Sequence, residues 1–246
     1  MRGLHLPGCS KAAGFPVPEG RLGEVHLWHF DLDASCACHA NLSWAVTAAE
    51  LERASQFATP LLRHRALLTR ATLRCLIAAY LQYLPKDIEF STEANGKPVL
   101  ASGHRSALQF NLSHTDSHLL IAVSDKRRVG VDIERRRLLP EWRDLARGFL
   151  AHEEIDGLLL LGEGGGLAFI DLWTRKEACI KATGEGLMRD LRSFILPCSS
   201  QQRRWLVSLA MLDAPTVSLE IHSLDVSASC AATLAVEGAG AVPVYV

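Results

Sequence analysis

Asp132 and Glu134 stand two residues apart in Arg-Val-Gly-Val-Asp-Ile-Glu, residues 128–134. The interleaved Val129, Val131 and Ile133 are β-branched and favour a strand, on which positions i and i+2 share a face. Carboxylates held side by side repel unless water, a proton or a cation separates them. Further along, Trp173, Glu177 and Lys181 fall at i, i+4 and i+8, along one face of a helix. Two readings fit this set. The strand carboxylates can line a solvated face, with Glu177 and Lys181 as a surface ion pair worth about 0.3–0.5 kcal/mol. Alternatively, Asp132, Glu134 and Glu177 hold a hard divalent cation such as Mg²⁺, which typically takes one or two carboxylates with phosphate oxygens and water. Lys181 would then touch the same phosphate.

The elements that must position these groups follow from hydrophobic periodicity. Residues 23–33 alternate as a strand. Two helices are expected from Ser43 onward, the second ending before Pro85. Residues 87–100 read as strand, Asn95-Gly96 turn and return strand. Residues 107–125 offer two strands with a break around Ser113–Ser117, and residues 128–134 a third. The second half repeats this order more loosely. Residues 141–161 are helical, Gly162–Gly166 form a flexible connector, and a helix from Leu167 stops near Gly184, where a glycine C-cap is expected. Two or three strands follow. Each half thus carries helices and then strands, which suggests a pseudo-repeat with a central cleft and the strand of Asp132 near the join.

The composition sets the frame. The 246 residues are 48% hydrophobic and 22% charged with a net charge of -1, ordinary for a globular protein and without the one-signed field of a general nucleic-acid or membrane-surface binder. Seven cysteines show no disulfide framework and fit a reducing compartment. Cys36-Ala37-Cys38-His39 lacks the second ligand pair of a structural zinc site. Residues 1–22 read as a loose Pro- and Gly-rich leader without a signal peptide, and no stretch is long and apolar enough to span a bilayer. A cytoplasmic protein is expected. A nucleotide hydrolase of the commonest type is disfavoured, because no G-x-x-x-x-G-K-[ST] loop is present.

Four segments occur in a telling order: Gly96-Lys97-Pro98, Asn111-Leu112-Ser113-His114-Thr115, Gly130-Val131-Asp132-Ile133-Glu134, and Trp173-Thr174-Arg175-Lys176-Glu177-Ala178 running on to Lys181. Together they resemble the signature of the Sfp-type 4′-phosphopantetheinyl transferases, in the branch with the Trp…Lys-Glu-Ala spelling. The resemblance runs from about Glu24 to Val236.

Such enzymes move the phosphopantetheine arm of coenzyme A onto a serine of an apo acyl or peptidyl carrier protein and release 3′,5′-ADP. The resemblance implies an α+β fold of two similar halves about a pseudo-twofold axis, with the active site in the cleft between them. It divides the chain into the leader 1–22, an N-terminal half 23–127 on the nucleotide side and a C-terminal half 128–246 carrying metal and catalytic residues. It assigns Asp132, Glu134 and Glu177 to Mg²⁺ (Mn²⁺ as a substitute). It places Lys181, Ser113 and His114 at the phosphates, Lys97 and Pro98 at the adenine, and Arg53 and Arg65 near the 3′-phosphate. Other readings of single residues stand beside these: a satisfied buried histidine for His114, a plain turn for residues 95–98, and a solvated basic helix face for Arg63, Arg65, Arg70 and Arg74. Glu50 stands where some members carry lysine. Glu177 is the expected base, with Glu154 or water as alternatives; Glu154 otherwise fits a helix N-terminus. A basic and apolar docking patch for an acidic carrier is sought at residues 187–192. A monomer is expected, in fatty-acid, polyketide or nonribosomal-peptide synthesis. The competing functions are a non-catalytic module that binds coenzyme A or a carrier, and another Mg²⁺-dependent phosphoryl enzyme.

Overall fold

The computed structural model describes residues 15, 17–18, 23–34, 42–93, 96–186, 189–198, 202–211 and 215–246. Most of the leader, the cysteine–histidine cluster at 36–39, Asn95 of the expected turn, and residues 187–188 lie outside the described residues.

The fold is α+β, as expected. The described residues form β1 (Glu24–Asp31), α1 (Ala48–Ser55), α2 (Pro60–Leu81), β2 (Phe90–Thr92), β3 (Pro98–Leu100), β4 (Gln109–Thr115), β5 (His118–Ser124), β6 (Val129–Arg135), α3 (Trp142–Phe149), α4 (His152–Leu160), α5 (Gly165–Thr183), β7 (Arg204–Leu209), β8 (Val217–Ser223), β9 (Cys230–Glu237) and β10 (Val242–Tyr245). One sheet has the order β10–β1–β5–β4 and a second β6–β9–β8–β7, while β2 and β3 form a hairpin. In both sheets the half's first strand pairs antiparallel with its long penultimate-sheet partner: β1 with β5 and then β4, β6 with β9 and then β8. This repeated order supports the reading of two similar halves. The last strand, β10, returns to pair parallel with β1. No described helix is long and apolar enough to cross a membrane.

Period-two alternation builds the interior. Val25 and Leu27 of β1 and Leu120 and Ala122 of β5 pack against Val129, Val131 and Ile133 of β6 and Leu234 and Val236 of β9, so the sheets face each other. The opposite face of the first sheet, with Trp28, Phe30, Leu119 and Ile121, is covered by Leu68, Leu73, Leu76 and Ile77 of α2. The opposite face of the second, with Leu219, Ile221 and Ala235, is covered by Phe169, Leu172, Cys179 and Ile180 of α5.

Local signals account for the helix ends. Thr47 and Glu50 form a capping box on α1. Thr59 caps α2 ahead of Pro60, the N1 position that proline favours. Gly184, at φ 74°, closes α5 as expected.

Three sequence expectations need correction. The 141–161 helix is two, broken at Leu150–Ala151, because the Glu154 carboxylate turns back to accept the Ala151 N–H at 3.0 Å and starts α4 afresh. The strand break at 113–117 is shorter, since β4 runs to Thr115. The glycine run is no loose connector: Gly165 and Gly166 open α5 beneath the Trp142 ring, and a Cβ on Gly165 would stand 2.6 Å from Leu158 O.

Candidate active site

Because Val129, Val131 and Ile133 point into the interior between the sheets, Gly130, Asp132 and Glu134 point to the other face of β6, where α5 lies. Gly130 permits this approach. A Cβ there would be 2.1 Å from Ala178 O and 2.4 Å from Ala182 N, so only glycine lets the α5 backbone sit so close. The crossing brings Lys181 to Asp132, with Nζ 2.7 Å from Oδ1.

The edge strand β4 runs beside β6, and its polar side chains bridge the two sheets. Asn111 Oδ1 accepts the Val131 N–H at 2.8 Å, Ser113 Oγ donates to Asp132 Oδ1 at 2.8 Å, and Thr115 Oγ1 donates to Glu134 Oε2 at 3.3 Å. Lys181 Nζ also donates to Ser113 Oγ at 3.1 Å. Ser113, Asp132 and Lys181 therefore form one closed triangle across the join.

The electrostatics are those of a crowded acidic centre. Burial pushes the Glu134 carboxyl above its ordinary range, and the Asp132 charge adds to this. Burial likewise raises Glu177; Lys181 opposes the shift, while Asp132 and Glu134 reinforce it. Burial and the Lys181 charge hold His114 below the usual imidazole value.

This centre borders two depressions. A cleft of about 730 Å³ is lined by Arg53, Phe57, Leu62, Arg65 and Arg70 of α1 and α2 and their connection, by Pro98, by residues 112–116, and by Glu134 and Lys181. A smaller apolar groove of about 180 Å³ begins at the same Glu134 and is lined by Leu139, Leu145, Phe149, Phe169 and Trp173.

The sequence profile of the 4′-phosphopantetheinyl transferase superfamily matches residues 128–234, and that of the 4′-phosphopantetheinyl transferase N-terminal region matches residues 35–126. The 4′-phosphopantetheinyl transferase HetI of Nostoc sp. is 36% identical over 168 residues, 68% of this chain and 71% of its own. The transferase psf-1 of Bacillus pumilus is 37% identical over 164 residues, 65% of this chain and 66% of its own. Sfp of Bacillus subtilis is 33% identical over 132 residues, 53% of this chain and 57% of its own. The chain belongs to the 4′-phosphopantetheinyl transferase family.

Within this transferase, Asp132, Glu134, Lys181, Ser113 and His114 are brought together, with Glu177 in their field. Arg53, Arg65 and Pro98 line the large cleft. Arg65 Nε donates to Asp33 at 2.8 Å in the same structure. Glu50 lines the cleft too, but its carboxylate is engaged by the Thr47 N–H at 2.9 Å and by Arg74 Nε at 2.8 Å. Arg53, Arg65 and Arg70 line that wall, Arg70 also 4.0 Å from Glu50, and Arg74 belongs to the core.

Two predicted residues stand elsewhere. Glu154 does not reach the cleft. It is 1% exposed and paired at 2.8 Å with Lys176, itself 0% exposed, and it accepts the Ala151 and Leu196 N–H groups. Its carboxylate joins α4, α5 and the segment after α5, and has no path to a substrate hydroxyl. The Lys97 ammonium turns from the cleft to the carbonyls of Val129 at 3.2 Å and Lys181 at 2.7 Å. Of the docking patch sought at 187–192, the described arginines are paired locally: buried Arg189 with Glu185 at 2.6 Å, and exposed Arg192 with Asp190 at 3.0 Å.

Sequence reasoning singled out the segment of Asn111 and Thr115 but gave these two residues no role. The alternation Asn111, Ser113, Thr115 was a usable signal, three polar residues on one face of a strand. Phe57 and Leu62 carried no such signal, being apolar residues at an ordinary helix–helix elbow.

Among the described residues, no three His, Cys, Asp or Glu side chains gather closely enough to make a ready-made metal cage. The chemistry of the donors nevertheless fits a divalent cation bound together with a phosphate. Asp132 Oδ2 is buried without a hydrogen-bond partner, next to a Glu134 carboxyl whose ionisation the Asp132 charge opposes. A cation at Asp132 and Glu134 would satisfy the first and relieve the second.

Proposed function

We propose that this transferase moves the 4′-phosphopantetheine arm of coenzyme A to a serine hydroxyl of an apo acyl or peptidyl carrier protein and releases 3′,5′-ADP. The observation that carries this reading is the position of the Ser113–Asp132–Lys181 triangle and Glu134. Ser113, Lys181 and Glu134 line the large cleft with its basic wall, and Glu134 also lines the small apolar groove. Coenzyme A has the same order: a nucleotide with a 3′-phosphate, a pyrophosphate, and a slender, largely apolar arm. The nucleotide fits the cleft, with its 3′-phosphate toward Arg53, Arg65 and Arg70, where guanidinium forks suit phosphate oxygens. The arm fits the groove under Phe149, Phe169 and Trp173.

The serine oxygen attacks the phosphorus that bears the pantetheine arm. A new P–O bond forms, the pyrophosphate bridge breaks, and the bridging oxygen leaves on 3′,5′-ADP. Glu177 takes the serine proton, directly or through water; its raised proton affinity suits that role. Lys181 offsets negative charge developing on the phosphates, and Ser113 holds Asp132 and Lys181 in register for it. Asp132 and Glu134 would hold the divalent cation, which when bound neutralises pyrophosphate charge.

The carrier is read from the rim of the groove. Arg135 and Arg137 line it beside the exposed Phe149, and Leu138, next in sequence to Arg137, is 80% exposed. Positive charge around exposed apolar side chains suits an acidic helical partner. The test is the intact mass of an apo acyl carrier protein after incubation with this chain, coenzyme A and Mg²⁺. A gain of one phosphopantetheine, lost in Asp132→Ala, is expected. No gain with several unrelated carriers, despite bound coenzyme A, would establish a binding module instead.

A further inference from the structure

The last four carbonyls of a helix have no partner within it, and α5 ends at Thr183, two residues after Lys181, the lysine of the triangle. Beyond the capping glycine, the partners found there come from other parts of the fold. Gly184 N–H returns to Ile180 O at 3.0 Å. Arg128, just ahead of β6, donates to Thr183 O. Lys97, from the β2–β3 hairpin, donates to Lys181 O at 2.7 Å and also to Val129 O, the first residue of β6, at 3.2 Å. Two cations thus meet the negative end of α5, which favours positive charge.

The Lys97 ammonium therefore joins three parts at one point: the hairpin whose Pro98 lines the cleft, the start of the strand that carries Asp132 and Glu134, and the turn that carries Lys181. We infer that Lys97 is a positioning residue of the transferase, acting through Lys181 by fixing the last turn of α5 on β6, and not a contact to the nucleotide. The inference rests on the reading that Lys181 meets the phosphates of coenzyme A. The amine is partly buried among charged neighbours. Burial pushes Lys97 down to about 8, with Glu93 opposing and Arg128 adding to the shift. A Cβ on Gly184 would stand 3.0 Å from Glu93 Oε2 and 2.6 Å from Arg128 Nη2, so this charge cluster closes tightly over the helix end.

The test is a double-mutant cycle of Lys97→Met and Lys181→Met, read on kcat/KM for transfer and on the affinity for coenzyme A by calorimetry. Charge-assisted hydrogen bonds of this type correspond to about a ten- to hundredfold loss for Lys97→Met alone. If Lys97 works through Lys181, the same change in the Lys181→Met background costs less than about threefold. Lys97→Arg, which keeps charge and donors, recovers most of the loss. Adenosine 3′-phosphate, which lacks the pyrophosphate, binds wild type and Lys97→Met alike. Additive losses in the cycle, a parallel loss of adenosine 3′-phosphate binding, or full activity in Lys97→Met would each overturn the inference. Should Lys97→Met not fold, Lys97→Gln takes its place in the cycle. If wild type transfers nothing to any carrier, the functional reading fails separately, and the cycle is read on coenzyme A affinity alone.

Discussion

Replacing Gly130 by alanine adds one carbon where the α5 backbone already sits. The new Cβ would lie 2.1 Å from Ala178 O, 2.4 Å from Ala182 N and 2.9 Å from the Lys181 carbonyl carbon. All three are main-chain atoms, so no rotamer change relieves the overlap. To restore van der Waals contact, α5 must lift from β6 by about 1 Å, a displacement that costs about a hundredfold in rate when it moves groups at a reacting centre. Overpacking a rigid interior costs about 3 kcal/mol. For a chain of this size that lowers Tm by about 6–12 °C. The control is Gly148→Ala in α3, where nothing lies within 4 Å of the added carbon. Alanine is the better helix former there by about 0.5–1 kcal/mol, so Tm should rise slightly. Calorimetric melting of both variants and carrier-modification rates measure the two effects together. A Gly130→Ala protein that melts with wild type and keeps its rate would refute the claim that the β6–α5 crossing sets the site.

Further outcomes follow from the same geometry. Glu154→Gln leaves the Lys176 ammonium buried without its counter-charge and should cost about 3–5 kcal/mol in urea unfolding; a stable variant defective only in transfer would restore Glu154 to the catalytic set. Glu134 and Glu177 hold their protons more tightly in the native state than the ordinary 4.5, so their contribution to stability falls as pH rises from there through the raised values. Glu177→Gln and Glu134→Gln should therefore melt higher than wild type at pH 7, lose that advantage below about pH 4.5, and lose transfer; a lower Tm at neutral pH would contradict the crowding of charge. Mg²⁺ should raise the Tm of the wild type at pH 7 in the presence of coenzyme A but not that of Asp132→Asn, read by differential scanning fluorimetry; equal shifts in both would place the ion elsewhere.

The sequence by itself determined the local features. β-Branched alternation placed Asp132 and Glu134 on one face, helical spacing aligned Trp173, Glu177 and Lys181, and Gly184 marked the end of α5, because each signal is a matter of backbone geometry within a few residues. It did not determine which face of β6 would receive a helix, or that Gly130 would admit that helix. Those depend on a contact between residues some fifty positions apart, which no local period records. For the same reason Glu154 read as a site carboxylate and proved to be the partner of Lys176, and the Gly-rich run at 162–166 read as a connector although Trp142 makes its end part of a helix. Lys97 shows the limit most clearly. Its motif was visible, but a lysine reaches about as far toward a neighbouring strand as toward a ligand. Only the unpaired carbonyls at the end of α5, assembled by the tertiary fold, decided where its charge would go.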